Sequence, residues 1–227
     1  MFVAFNEIFT PENILYLVKG AVVSLIIAAL SLFIGLIFGI LGASAKRSKY
    51  RIFRIIGNVY VEVIRGTPML LQIMFFYIAI PVIYQSITGT RMNPDPYICG
   101  LIALSINSGA YSTELIRSGI QGIDKGQWEA CETLGLSYFQ TMRFVVLPQA
   151  FKRIIPPIVS EFITLIKDSS LISCIGATEL LMSAQVLGSR TFNLIYPLLE
   201  AACLYLVMTL TISYISRRLE RKLSARD

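Results

Sequence analysis

Residues 17–45 form a long apolar block that carries a single charge, Lys19. A run of about 18 such residues already suffices to cross a bilayer as a helix. The hydrocarbon offers no water to a free N–H or C=O, so a crossing segment of this kind satisfies its backbone internally. Four more apolar blocks follow at about 56–84, 97–119, 151–175 and 192–215. The pattern predicts an all-α membrane protein with five transmembrane helices in one domain over 17–216. Composition agrees: 55% of residues are hydrophobic and 15% charged, far from a soluble globular profile.

Charge sets the expected orientation. Lys46, Arg47, Lys49, Arg51 and Arg54 follow the first block with no acid among them. Short loops rich in Lys and Arg stay in the cytoplasm. The first span therefore runs from outside to inside, and residues 1–16 become an external leader. Within that leader, Thr10-Pro11-Glu12 marks a helix start. The loop at 85–96 has one base, Arg91, and reads as external, as does 176–190. Arg117, Lys125, Arg143, Lys152 and Arg153 bring the intervening segment back inside. The tail, 217–227, holds Arg217, Arg218, Arg221, Lys222 and Arg226 against Glu220 and Asp227, a cytoplasmic end. The first block exceeds a signal-peptide core in length and is expected to remain as a span.

The same inventory excludes several classes. There is no histidine, and the four cysteines are far apart without a CxxC pair, so no metal site is expected. The basic balance belongs to loops beside apolar blocks, not to a nucleic-acid surface. No GxxxxGK[ST] segment is present, which rules out a nucleotide-binding subunit. No nucleophile–base pair suggests catalysis, so no catalytic residue is expected.

Polar residues inside apolar blocks are costly and mark sites or pairings. Ser31, Gly35, Gly39 and Ala43 recur every four residues, a face that lets a neighbouring helix approach closely. Glu62 and Arg65 lie one turn apart and are placed to pair. Pro68 removes a helix hydrogen bond and frees carbonyls at its level. Thr67, Gln72, Ser105, Glu161, Thr164, Lys167 and Asp168 are the candidates to line a solute path. A carboxylate at Glu161 or Asp168 suits an ammonium; hydroxyls at Thr67 and Ser105 suit a carboxylate. Glu161, Lys167 and Asp168 also admit a purely structural reading, as partners of one another or of a second subunit.

Residues 124–148 are the longest polar segment between two blocks. Asp124 with Gln127 reads as a capping box, and Ser137 with Gln140 repeats it. Trp128, Cys131 and Leu134 recur three apart, on one face of a short helix that Gly135 ends. This predicts an amphipathic helix presenting its tryptophan outside the bilayer, either to a partner or to the membrane interface.

The segment resembles the EAA loop of bacterial ABC importer permeases. Glu129-Ala130-Cys131 is followed by three residues, Gly135, nine residues and Val145-Val146-Leu147-Pro148, which keeps the spacing of that loop with two mild replacements. Arg65-Gly66-Thr67-Pro68, Asn107-Ser108-Gly109-Ala110-Tyr111, Leu147-Pro148-Gln149-Ala150 and Lys167-Asp168-Ser169-Ser170-Leu171 look like the polar amino-acid branch. The resemblance implies a type I importer permease of the bacterial inner membrane. It also implies a second permease subunit (a copy or a paralogue), an external amino-acid-binding protein, and cytoplasmic ATPases that use ATP and Mg2+. The coupling contacts would be Gly126, Trp128, Glu129, Ala130, Cys131, Leu134 and Gly135. The rival readings are a channel that works without ATP and a permease for another solute class.

Overall fold

Thr10 and Pro11 start the first helix as the sequence predicts: the Thr10 hydroxyl accepts from the Asn13 N–H at 3.3 Å, and proline occupies the first turn. The computed structural model describes residues 10–224; leader residues 1–9 and tail residues 225–227, with Arg226 and Asp227, lie outside them. Eight helical elements make up the described chain. They are α1 Pro11–Lys46, α2 Arg51–Arg65, α3 Met69–Thr88, α4 Pro96–Gln121, α5 Lys125–Thr133, α6 Tyr138–Ile175, α7 Leu180–Thr191 and α8 Ile195–Ser224. Two of them contain a wide π turn, at Phe75–Ala79 in α3 and at Met142–Val146 in α6. The last turns of α6, Ser169–Ile175, tighten to a 3-10 helix.

The centre of the molecule is the α1–α4 contact, and the small residues on α1 cause it. Gly35 lies against Ser108, Gly39 against Ser112 and Gly42 against Thr113; a Cβ on Gly39 would stand 2.5 Å from the Ser112 Cβ. The four-residue step predicted a close helix approach, and α4 supplies it with serines and a threonine. Around this seam Ile27, Ile73, Leu104, Ile166 and Ile172 form the main core. The opposite faces carry Phe33, Ile40, Leu41, Leu206 and Leu210, large and exposed, as suits lipid-facing walls.

Three departures from the sequence reading have clear causes. The expected span 56–84 is two helices, because α2 ends at Gly66 and Pro68 opens α3 without an N–H to continue the ladder. On length and apolarity α1, α3 and the Ile195–Arg218 part of α8 are able to cross a membrane, and α6 with α7 forms a bent pair at 51°. Helix α4 has the length, but Ser105, Asn107, Ser108, Ser112, Glu114 and Arg117 dilute its apolar character.

The segment expected as an external loop at 176–190 is largely the helix α7, packed on α1 and α8. Gly176, in the left-handed region at φ 88°, lets the chain bend between α6 and α7. Glu179 then caps α7. It is 0% exposed, and its carboxylate accepts from the N–H groups of Leu181 at 2.9 Å and Met182 at 2.8 Å. Ser24 Oγ on α1 and Tyr205 Oη on α8 donate to the same carboxylate at 3.3 and 2.8 Å. A buried carboxylate is affordable only with such partners, and these four tie three helices together.

Candidate functional site: an acidic groove and a loop helix

The groove forms where the break between α2 and α3 faces α4 and α6. A cavity of about 360 Å³ is lined by Thr67, Pro68, Met69, Asn107, Tyr111, Glu161, Thr164 and Asp168. It runs on along α6 into a second hollow that shares Tyr111, Glu161 and Thr164. Helical geometry explains the set. Residues 161, 164 and 168 share one face of α6, and 107 and 111 share one face of α4. Four of the seven predicted path residues, Thr67, Glu161, Thr164 and Asp168, therefore meet at one place.

The other three do not. Lys167 points away from Asp168, into a hollow beside Tyr205 and Thr209 of α8. Ser105 is buried in the helix packing. Gln72 is 8% exposed and fully engaged: its Nε2 donates to Ile64 O at 2.8 Å, Thr67 O at 3.1 Å and Thr67 Oγ1 at 2.9 Å. Among the described residues, Glu161, Lys167 and Asp168 make no ion pair with each other. The Thr67 hydroxyl donates back to Val63 O at 2.9 Å, so its proton is already committed.

Asn107 and Tyr111 line the groove without being among the predicted path residues; their i, i+4 spacing on a helix facing acidic residues is the signal that finds them. The predicted Glu62–Arg65 pair is absent. Instead the Arg65 guanidinium lies over the Tyr111 ring, 4.9 Å from its centroid, at the rim of the groove. Through Tyr111 it stands beside the residues that line the groove.

The segment 124–148 is ordered as two capped helices. The Asp124 carboxylate accepts from Gly126 N at 2.7 Å, while the Gln127 N–H bonds the Asp124 backbone carbonyl at 3.1 Å and the Gln127 side-chain oxygen accepts from Gln149 at 3.1 Å. The second capping box, Ser137 with Gln140, is present as predicted. Helix α5 ends in a Schellman turn: Leu136 N–H reaches Cys131 O and Gly135 N–H reaches Glu132 O, with Gly135 at φ 71°.

The predicted stripe is split in its use. Cys131 is 3% exposed, and Trp128 packs against Ile120, Ile123, Val146 and Ala150. The tryptophan is half-buried, with part of its ring holding α5 to its own chain. A three-residue stripe says which side is apolar but not which body covers it. Leu134 alone stands out, at 76% exposure, with Gly126, Glu129, Ala130 and Gly135 on the uncovered side. Arg153 Nη1 donates to Gly122 O, fixing the chain just before α5 to α6.

This arrangement, a bundle with a polar groove beside a built loop helix, is that of a transport subunit, and sequence comparison agrees. The pattern of the family described as "Binding-protein-dependent transport system inner membrane component" matches residues 31–225, and the chain belongs to that family.

Among its relatives, the arginine transport system permease protein ArtQ of Bacillus subtilis is 40% identical over 218 residues, covering 96% of this chain and 97% of that one. The glutamine transport system permease protein GlnP of Escherichia coli is 38% identical over 207 residues, 91% and 92% of the two chains. A crystal structure of an amino acid ABC transporter with histidines superposes with a TM-score of 0.85 at 37% identity, covering 91% and 94%. The methionine transporter MetNI in an inward-facing form shares the fold at a TM-score of 0.75 and 18% identity.

Proposed function

We propose that the chain is the permease subunit of an ATP-driven importer of polar amino acids, with the groove as its solute path. The observation that carries this is the gathering of Glu161, Asp168, Thr164 and Asn107 in one cavity among otherwise apolar helices. Relatives of this chain are named for arginine and glutamine transport. Glu161 and Asp168 are the acceptors for an α-ammonium or a basic side chain. Arg65 replaces Thr67 and Ser105 as the donor to the α-carboxylate, since the Thr67 proton is committed and Ser105 does not line the cavity.

Five crossings, with the N-terminus outside and the C-terminus in the cytoplasm, satisfy the distribution of bases. The crossings would be α1, α3 with the end of α2, α4, α6 and α8. Polarity along α4 fits a helix that faces the path instead of lipid. The domain over 17–216 would then be a single membrane unit, flanked by the leader and the basic tail.

The uncovered side of α5, with Gly126, Glu129, Ala130, Leu134 and Gly135, would seat in a groove of a cytoplasmic ATPase that handles ATP and Mg2+. Trp128 and Cys131 contribute by holding α5 in place. A second permease subunit and an external binding protein complete the assembly. Alternating access follows when ATPase closure moves α5 and the helices joined to it.

The test reconstitutes the chain with its ATPase and binding protein and measures uptake of arginine, histidine and glutamine. Glu161→Gln is expected to weaken uptake of at least one of them at least tenfold. Unchanged kinetics for all three would remove the groove from the path.

A further inference from the structure

We infer that Gln72 is a positioning residue for solute selection: from outside the cavity its buried amide fixes both Thr67 and Asn107 in the wall. The inference rests on the reading of the groove as the solute path.

The argument begins with the chain break. Pro68 has no N–H, so the Ile64 carbonyl, four residues earlier, has lost its backbone donor. An unpaired carbonyl inside a membrane bundle is costly. Gln72 sits one turn into α3, and its Nε2 lies 2.8 Å from that carbonyl. The same nitrogen stands 3.1 Å from Thr67 O and 2.9 Å from Thr67 Oγ1. One amide therefore closes the gap that the proline opened, and in doing so it orients the Thr67 hydroxyl.

Its oxygen does a second task. Asn107 Nδ2 on α4 donates to Gln72 Oε1 at 3.0 Å. An amide has one acceptor end and one donor end, and here the two are assigned to different helices. With its Nδ2 held in this way, Asn107 keeps its own carbonyl oxygen for the cavity. Thr67 and Asn107 line the groove, whereas Gln72 does not. Gln72 thus acts on a solute only through them, and a shift of its amide moves two groups of the wall at once. Held groups discriminate solutes because reacting or binding partners tolerate displacements of only about 0.5 Å.

The experiment uses the full complex, with ATPase and partner permease, in nanodiscs. L-Arginine and L-glutamine binding is measured by calorimetry, and uptake is measured in proteoliposomes. Gln72→Met preserves bulk without hydrogen bonds; Gln72→Glu is isosteric but loses the donors to Ile64 and Thr67. Both are expected to weaken binding of the transported amino acid about tenfold and to change the arginine-to-glutamine ratio. Maximal uptake should stay within about twofold. Adding Thr67→Val to Gln72→Met should cost little more, because the two act as one unit.

Wild-type affinity and ratio in both variants would overturn the inference, as would full additivity with Thr67→Val. Loss of the assembled complex in both would also overturn it, since the amide would then serve stability alone. Glu161→Gln, measured in parallel, separates the two claims. If it weakens binding while the Gln72 variants do not, only the role of Gln72 falls. If it too is without effect, the groove reading falls with it.

Discussion

Lys46 and Glu114 are 68 residues apart in sequence and 2.5 Å apart in space, an ammonium at the end of α1 against a carboxylate near the end of α4. Arg117 approaches the other carboxylate oxygen at 2.5 Å and also reaches Gln121. Glu114 is therefore the shared acceptor of two cations, while each cation has this one acid as its ion-pair partner.

That asymmetry makes a prediction. Glu114→Gln leaves two cations facing each other in a partly buried site and should cost about 3 kcal/mol. Lys46→Met leaves Glu114 with Arg117 and should cost about 1 kcal/mol. Thermal unfolding of the two purified variants, side by side, checks the order. Equal losses would mean that the three groups are not coupled.

The α1–α4 seam predicts a steric effect. Gly39→Val forces a branched side chain into Ser112, and overpacking of this kind costs about 2 kcal/mol or more. Ile40→Val, one residue on and exposed, should be close to neutral. Yields of folded protein and unfolding midpoints in detergent would read out the difference.

Gly135 offers a test of backbone conformation without crowding. Nothing lies within 4 Å of where its Cβ would be, yet its φ is 71°. Gly135→Val is therefore opposed by strain alone, on the order of 1–2 kcal/mol, whereas Gly135→Asn is tolerated. The expected phenotype of the valine variant is a protein that inserts but loses substrate-stimulated ATP hydrolysis in the assembled complex. Stimulation equal to wild type would detach the end of α5 from coupling.

Glu179 is expected to govern how firmly α7 is held. Glu179→Ala removes an N-cap and leaves Tyr205 and Ser24 without their acceptor, a loss of about 3 kcal/mol. Amide hydrogen exchange at Leu181 and Met182 should accelerate, since both N–H groups bond that carboxylate. Unaltered protection at those two amides would show that α7 stands without its cap.

The long helices were legible because apolar length and charge placement act locally. The α5 ending was legible for the same reason: a glycine requirement at positive φ is a property of one residue. Helix α7 was not. Residues 176–190 are too polar to read as a span, and only the fourfold capture of Glu179 explains why they fold back into the bundle. The groove was half legible. Glu161, Thr164 and Asp168 announced themselves as costly groups in an apolar block. Whether Gln72 met a solute or a carbonyl depended on Pro68 and Asn107, a relationship that crosses two helices. Trp128 shows the same limit, since its face was evident and the surface covering that face was not.

The wide turn at Met142–Val146 has a consequence for lengths. A π turn is an α-helix carrying one extra residue, so deleting one residue inside it restores ordinary winding and leaves both flanks in register. Deleting one residue near Ile154 instead rotates everything beyond it by about 100° relative to α5. Glu161 and Asp168 would then leave the groove although no residue of the groove had been changed. The chain can thus absorb a single-residue deletion at the foot of α6 but not in its middle, and natural length variants along this helix should cluster within 142–146.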